Sequence, residues 1–218
     1  MIVAYKDFKP ETFSLLDDPV LVLEGFWTPQ DQTYFLDAME NASWKSLMDL
    51  PNSVRSFPNC GNWLKGVVPQ KDRERFLSKI DLSCISDLID SFPNIKERHL
   101  NLSYYSYGVG DSLSTHDDTA EDYIEPHHGS THIRRLAMVA YFHEEWHPDW
   151  GGELIVYEKK ETKGGKSALE IVGCVAPKPC SLAMFTLPRF HRVCRIDPHA
   201  GNHRRKTIVT WFMTEHHK

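Results

Sequence analysis

The chain has 218 residues, of which 41% are hydrophobic and 25% charged, with a formal net charge of -5. That length suits one compact domain, 1–218, able to bury a full core without staples, and the composition is that of an ordinary soluble globular protein. No apolar run approaches the ~20 residues of a membrane span, and the acidic balance gives no reason to expect nucleic acid as a partner, although Arg189, Arg192, Arg195 and the run His203-Arg204-Arg205-Lys206 gather positive charge locally.

The amino terminus, MIVAYKDFKPETF, lacks the basic segment, long apolar stretch and small-residue cleavage site of a secretory signal, so a cytoplasmic location is expected. Cys60, Cys84, Cys174, Cys180 and Cys194 are odd in number and include no Cys-x-x-Cys pair. That argues against a disulfide framework and against a thiolate zinc site.

The segment PVLVLEGF, Pro19 to Phe26, alternates and carries β-branched residues, which predicts a first strand. Thr28-Pro29 then offers an N-cap with proline at the first helical position, and Tyr34, Phe35, Ala38 and Met39 fall at helical spacing behind it. Residues 45 to 68 have a loop composition, with Pro51, Pro58 and Gly61, yet carry Phe57, Trp63 and Leu64. Such a loop either packs on the core or closes over a substrate. From Lys71 to Asp90 the pattern Phe76, Ile80, Leu82, Ile85 and Leu88 predicts a second amphipathic helix, broken near Ser83 and stopped by Phe92-Pro93. Residues 1–99 thus read as helical support with a possible lid loop.

From residue 100 the chain changes to short β-rich runs between turn signals. Strands are expected near 100–107, 112–117, 135–143, 152–157, 168–175, 181–186, 191–196 and 205–213. Eight antiparallel strands in two sheets make a jelly roll, or double-stranded β-helix, whose interior can hold a metal and a small ligand. The fold class is therefore mainly β, with a core over 100–213.

The first expected strand pair delivers His116 and Asp118. Residues i and i+2 of an extended backbone share a face, and a histidine, a carboxylate and a distant second histidine make the facial triad of non-haem iron. About one His-x-Asp match is expected by chance from the chain's His and Asp content, and there are two, the other being His147-Pro148-Asp149. That second pair has proline at its centre and Trp150-Gly151-Gly152 directly after, the signature of a turn. His191 opens HRVCRI after a predicted strand and is the candidate third ligand. Downstream, Arg205, Thr207, Val209 and Trp211 share one strand face. An inward arginine needs a counter-charge. From this strand alone, an acidic side chain or the carboxylate of a ligand serves equally.

In order, Tyr107-x-x-Gly110, His116-x-Asp118, Ala140-Tyr141-Phe142 leading to Trp146, Gly151-Gly152-Glu153-Leu154, Pro177, Phe185, His191-x-Val193 and Arg205-x-Thr207-x-x-x-Trp211-Phe212 resemble the prolyl 4-hydroxylase-like branch of the iron(II)- and 2-oxoglutarate-dependent dioxygenases. The resemblance covers roughly residues 100 to 213. It implies that His116, Asp118 and His191 bind iron(II), and that Arg205, assisted by Thr207, Tyr107 and Tyr141, holds the distal carboxylate of 2-oxoglutarate. It further implies dioxygen as cosubstrate, with ascorbate as a candidate stimulant. Asp118 stands where the related halogenases have a small residue, which favours hydroxylation. Trp211 stands where the nucleic-acid demethylases have a second arginine, which disfavours a repair role. The stretch from His191 to Arg205 is longer than in similar proteins and leaves Arg204 as a rival anchor, but pleating puts Arg204 on the opposite face.

The expected activity is hydroxylation of an unactivated C–H bond of a small molecule, an amino acid or amino-acid-derived intermediate, free or tethered to a carrier protein. A peptidyl hydroxylase and a non-catalytic jelly-roll binding protein are the alternatives. Candidate substrate contacts are Arg134, Arg135 and Trp63, together with the loop from Thr119 to His132.

Overall fold

The computed structural model describes residues 1–93, 98–118, 131–161 and 165–216. In chain order its elements are β1 (Ile2–Ala4), β2 (Val20–Glu24), α1 (Pro29–Glu40), β3 (Trp44–Ser46), α2 (Pro51–Ser56), β4 (Leu64–Val67), α3 (Gln70–Leu77), α4 (Ser83–Asp90), β5 (Arg98–Tyr107), β6 (Leu113–Asp117), β7 (Thr131–Tyr141), β8 (Leu154–Glu161), β9 (Ser167–Val175), β10 (Leu182–Thr186), β11 (Phe190–Val193) and β12 (Arg205–His216). They form an eight-stranded sheet, β1-β2-β10-β7-β12-β5-β4-β3, and a four-stranded sheet, β6-β11-β8-β9. All eight strands expected after residue 100 are present. The larger sheet also takes in β1 to β4 from the amino-terminal part.

Period-two alternation decides what each strand offers to each side. On the large sheet, Leu102, Tyr104, Leu136, Met138, Ala140, Leu182, Met184 and Ile208 turn to one face and pack with Phe35, Met39, Phe76, Ile85 and Leu88 of the helices. Their neighbours Ala137, Val139, Tyr141, Ala183, Phe185 and Trp211 turn the other way and pack with Leu154, Val156 and Val175. The functional cavity opens on that second face.

α1 starts where Thr28-Pro29 predicts it. Thr28 Oγ1 accepts the Asp31 N–H at 3.1 Å and Asp31 Oδ2 accepts the Thr28 N–H at 3.3 Å, a reciprocal capping box. Phe35 of this helix meets Phe142 at 4.6 Å between ring centroids, which fixes the helix against the end of β7. The helical pattern over 71–90 resolves into α3 and α4, with Ile80 and Leu82 of the link buried in the core.

Residues 45–68 depart from the loop expectation. β3 pairs with β4, and β4 pairs with the edge of β5, while a Ser46/Asp49 capping box and Pro51 organise the turn between them. Strands of three or four residues are too short to display alternation, so their pairing is imposed by the β5 edge. Of the loop from Thr119 to His132, residues 119–130 lie outside the described residues, as do 162–164 in the polar turn between β8 and β9. No helix among the described residues is long and apolar enough to cross a membrane.

Candidate metal and cosubstrate site

β6 and β11 are antiparallel neighbours whose register pairs His116 directly with His191. Opposed residues in an antiparallel pair project from the same face, and the two imidazole centroids are 4.2 Å apart. Asp118 follows directly on β6. Its Oδ1 lies 3.4 Å from His116 Nε2, and its Oδ2 lies 3.5 Å from His191 Nε2. One donor atom from each of the three residues falls within 4.8 Å of the others. Two imidazole nitrogens and a carboxylate at this spacing have the chemistry of an iron(II) facial triad.

The surroundings orient these donors. His116 Nδ1 lies 2.8 Å from the Ser114 carbonyl and His191 Nδ1 lies 3.1 Å from the Arg189 carbonyl. A carbonyl only accepts, so each Nδ1 carries the proton and each Nε2 keeps its lone pair for a metal. Burial pushes His191 down to about 4, so it is neutral at physiological pH. Burial opposes charge on Asp118, but nearby positive charge, including the Arg134 guanidinium 3.7 Å from Oδ1, outweighs it and holds the carboxyl below the usual carboxylate range. Trp211 Nε1 donates to Asp118 Oδ2 at 2.6 Å, and Arg134 Nη1 donates to the Asp118 carbonyl at 3.1 Å. The Arg134 guanidinium stacks on the Trp211 ring at 4.6 Å, so both residues brace one ligand. Ring contacts from Phe57 to His116, 4.9 Å, and from Phe185 to His191, 4.8 Å, hold the imidazoles in place.

Arg205 faces the cavity from the other sheet, on the face of β12 that also carries Trp211. β12 registers Arg205 against Tyr107 and Thr207 against Tyr141. Arg205 is only 1% exposed, and its guanidinium lies 4.9 Å from the Tyr141 ring and 5.5 Å from the Tyr107 ring. Its Nη2 donates to the Tyr141 hydroxyl at 3.3 Å. Arg205 Nε and Thr207 Oγ1 are buried without a protein hydrogen-bond partner. A buried cation beside an unpaired hydroxyl is costly unless an anion meets both, which fits the distal carboxylate of a keto acid.

The triad, Arg205, Tyr107, Arg134 and Trp63 all line one cavity of about 470 Å³. Arg135 does not. It donates to Thr214 Oγ1 and stacks on Phe92 at 4.0 Å, on the helical side of the sheet. Arg204 likewise turns away, with its Nε donating to Ser106 Oγ at 2.7 Å. His147 and Asp149 are exposed on a surface turn. Sequence reasoning overlooked Trp211 as a support for Asp118, and Lys65, Arg55 and Phe57 as cavity walls. The aromatic content of 45–68 was the available signal.

The sequence profile of the 2OG-Fe(II) oxygenase superfamily matches residues 101–213. No curated protein matches the chain significantly. Among solved structures, an oxidoreductase of the 2OG-Fe(II) oxygenase family from Burkholderia pseudomallei gives a TM-score of 0.60 at 10% identity, over 97% of this chain and 94% of that one. A prolyl hydroxylase from Trichoplax adhaerens, solved with a peptide fragment of the hypoxia inducible factor oxygen degradation domain, gives 0.54 at 18% identity, over 91% and 84%. A structure of the prolyl 4-hydroxylases from Phytophthora capsici gives 0.51 at 14% identity, over 96% and 64%. These likenesses establish a shared fold. The profile match spans more than half of the chain and takes in the His-Asp-His cluster and Arg205, and this chain belongs to the 2OG-Fe(II) oxygenase superfamily.

Proposed function

We propose that this dioxygenase hydroxylates an unactivated C–H bond of a small molecule, an amino acid or amino-acid-derived biosynthetic intermediate, while 2-oxoglutarate is converted to succinate and carbon dioxide. Its family uses iron(II), 2-oxoglutarate and dioxygen. The observation that carries the reading is the single cavity joining the His116/Asp118/His191 cluster to the buried guanidinium of Arg205. Its volume of about 470 Å³ falls within the ~300–1,000 Å³ of small-molecule sites.

In this reading His116 Nε2, His191 Nε2 and an Asp118 oxygen hold the metal, leaving coordination positions for the keto acid and dioxygen. Bound together, these groups supply an oxidant able to take hydrogen from a C–H bond. The protein binds and orients. Arg205 forks onto the distal carboxylate of the cosubstrate, and Thr207 Oγ1 and the Tyr141 hydroxyl complete its hydrogen bonds. Tyr107 lies against the guanidinium, while Val139, Val209 and Leu154 give the cavity apolar walls. Trp211 and Arg134 hold Asp118 in orientation. Trp63 and Arg134, at the cavity wall, are the proposed substrate contacts.

A peptidyl hydroxylase is the second reading, drawn from the fold shared with the prolyl hydroxylase that was solved with a peptide. Anaerobic titration with iron(II) and 2-oxoglutarate, followed by the visible charge-transfer absorption of a chelated keto acid, tests the common core. Succinate release stimulated by free amino acid derivatives or by peptides then separates the two. Metal binding with no such absorption would sink both and leave a binding protein.

A further inference from the structure

Most polar side chains around the cavity have a visible task. Trp211 and Arg134 are held to Asp118, and the Nδ1 atoms of His116 and His191 face backbone carbonyls. Arg205 Nε and Thr207 Oγ1 lack protein partners and suit the cosubstrate carboxylate. Tyr105 has no such task. It lines the cavity, and among the described residues its hydroxyl makes no hydrogen bond. Its ring is placed by packing, against Trp63 at 5.6 Å and Tyr107 at 6.3 Å between centroids, with the Lys65 ammonium 5.9 Å from the ring centre. A residue needed only to fill that space would serve as well without the hydroxyl.

The pairing of β5 with β12 fixes where Tyr105 stands. Asn101, Ser103, Tyr105 and Tyr107 share the cavity face of β5, opposite Trp211, Val209, Thr207 and Arg205. Tyr105 is therefore displaced from the arginine toward the tryptophan that supports Asp118. Burial is the larger influence on its phenol and pushes it up, so it keeps its proton at neutral pH and can donate. The charges that reach it are those of Asp118 and Arg134. The Tyr107 phenol, also raised by burial, is reached instead by Tyr105, Arg205 and Asp111. Tyr107 thus faces the cosubstrate end of the cavity and Tyr105 the metal end, where a substrate C–H bond has to lie.

We propose, on the oxygenase reading above, that Tyr105 is a specificity-determining residue whose hydroxyl donates to a carbonyl or carboxyl oxygen of the substrate and so sets which carbon is presented to the metal. The substrate class narrows to small molecules that carry such an oxygen near the carbon attacked. Because Trp63 and Tyr107 already hold the ring, little further ordering is needed to form the bond. A substrate without the oxygen strips water from the hydroxyl and returns nothing, which discriminates against it.

The test uses the full chain as wild type and as Tyr105→Phe, which keeps the ring and removes the hydroxyl. The probes are L-leucine, which carries a carboxylate alone, N-acetyl-L-leucinol, an amide carbonyl alone, N-acetyl-L-leucine, both, and L-leucinol, neither, together with the matching proline compounds. Turnover with iron(II), 2-oxoglutarate and dioxygen is read as KM, as hydroxylated product per succinate and as the position of hydroxylation. The wild type is expected to hydroxylate a probe that bears a carbonyl or carboxyl oxygen and to leave leucinol and prolinol unchanged. In Tyr105→Phe, KM should rise roughly 2- to 13-fold if the acceptor is the neutral amide and roughly 13- to 160-fold if it is the carboxylate, the ranges for losing a neutral and a charge-assisted hydrogen bond. Product per succinate should fall and the positions hydroxylated should spread, while iron(II) content and the Kd for 2-oxoglutarate stay as in wild type.

Unchanged KM, coupling and position in Tyr105→Phe overturn the proposal, as does equal use of leucinol or prolinol. A Tyr105→Phe protein with weakened 2-oxoglutarate binding would assign the hydroxyl to the cosubstrate and also overturn it. So would a panel in which no probe is oxidised while the cosubstrate binds. A wild type that fails to bind 2-oxoglutarate fails earlier and differently, since it removes the oxygenase reading itself.

Discussion

Replacing Arg205 by methionine separates the cost of a buried cation from its use. The guanidinium is 1% exposed, its Nε has no protein partner, and Nη2 reaches the Tyr141 hydroxyl at 3.3 Å. Without a ligand anion, such a half-paired charge weighs against the fold. An apolar side chain of comparable length is therefore expected to leave the ligand-free protein as stable as wild type, or more stable by up to ~4 kcal/mol. Toward 2-oxoglutarate the sign reverses. Removing one partner of a buried ion pair costs about 3–5 kcal/mol, which is roughly a 150- to 5,000-fold loss of affinity. The assay is anaerobic thermal unfolding of the iron(II)-loaded protein, with and without 2-oxoglutarate at one hundred times the wild-type Kd. The wild type should gain ~2.7 kcal/mol, or ~5–10 °C for a chain of this size, and Arg205→Met about 0.3 kcal/mol or less. A variant that kept the full ligand-induced shift would refute the assignment of Arg205 as the carboxylate anchor. A ligand-free variant that melted far below wild type would refute the account of its energetic cost.

Other perturbations probe the remaining parts. His116→Ala and His191→Ala should each abolish stoichiometric iron(II) binding, read by metal analysis after gel filtration, while the chain stays folded by circular dichroism. Trp211→Phe keeps the ring under Arg134 but removes the indole N–H from Asp118 Oδ2, so iron affinity should fall ~10- to 100-fold, with the fold intact. Gly152 has a φ of +77°, and an added Cβ there would stand 2.7 Å from Ile196 Cδ1 and 3.2 Å from Arg205 Cδ. Gly152→Ala should therefore destabilise by about 1–3 kcal/mol and also weaken 2-oxoglutarate, whereas an effect on stability alone would show that Arg205 is not disturbed. Burial pushes His143, which lies 2.6 Å from the Pro177 carbonyl, down to about 4. Between that value and the unfolded value near 6.5 the unfolded chain binds the extra proton, so stability should rise with pH by up to about 3 kcal/mol across the window and then level off. The slope of urea midpoint against pH from 4.5 to 6.5 should be shallower in His143→Leu, and an unchanged slope would contradict the burial argument.

The strand face carrying Arg205, Thr207, Val209 and Trp211 was legible because side-chain period is a local property of the backbone. The same pleat excludes Arg204, which turns to Ser106. The choice of His116-x-Asp118 over His147-x-Asp149 was legible for a related reason: a preceding β-rich run marks a pair that a sheet can carry inward, whereas Pro148 with Trp150-Gly151-Gly152 marks a surface turn. Pairing across the chain was not legible. Nothing in LKGV announces that it lies against β5, so Lys65 could not be brought to Tyr105 from sequence. Arg134 and Arg135 were offered together, and only the irregular register between Phe212 and Met213 of β12 determines which face each takes. The bond from Trp211 to Asp118 spans 93 residues and rests on the same non-local geometry.

The cavity thus has two ends built from different parts of the chain. The metal and cosubstrate end is made from β6, β11 and the central strand β12, which is paired on both sides by β5 and β7. Its side chains are held by ladders that cannot slip by one residue without turning every group to the wrong face. The outer end borrows Asn52 and Arg55 from the short helix α2, Phe57 from the residue after it and Lys65 from the short strand β4, which pairs with the β5 edge. Few ladder hydrogen bonds fix that segment, so its side chains can change without moving the iron ligands or Arg205. The charge of the outer wall can then be altered by one or two substitutions in residues 45–68 while the His-Asp-His cluster and the arginine beneath it stay in place.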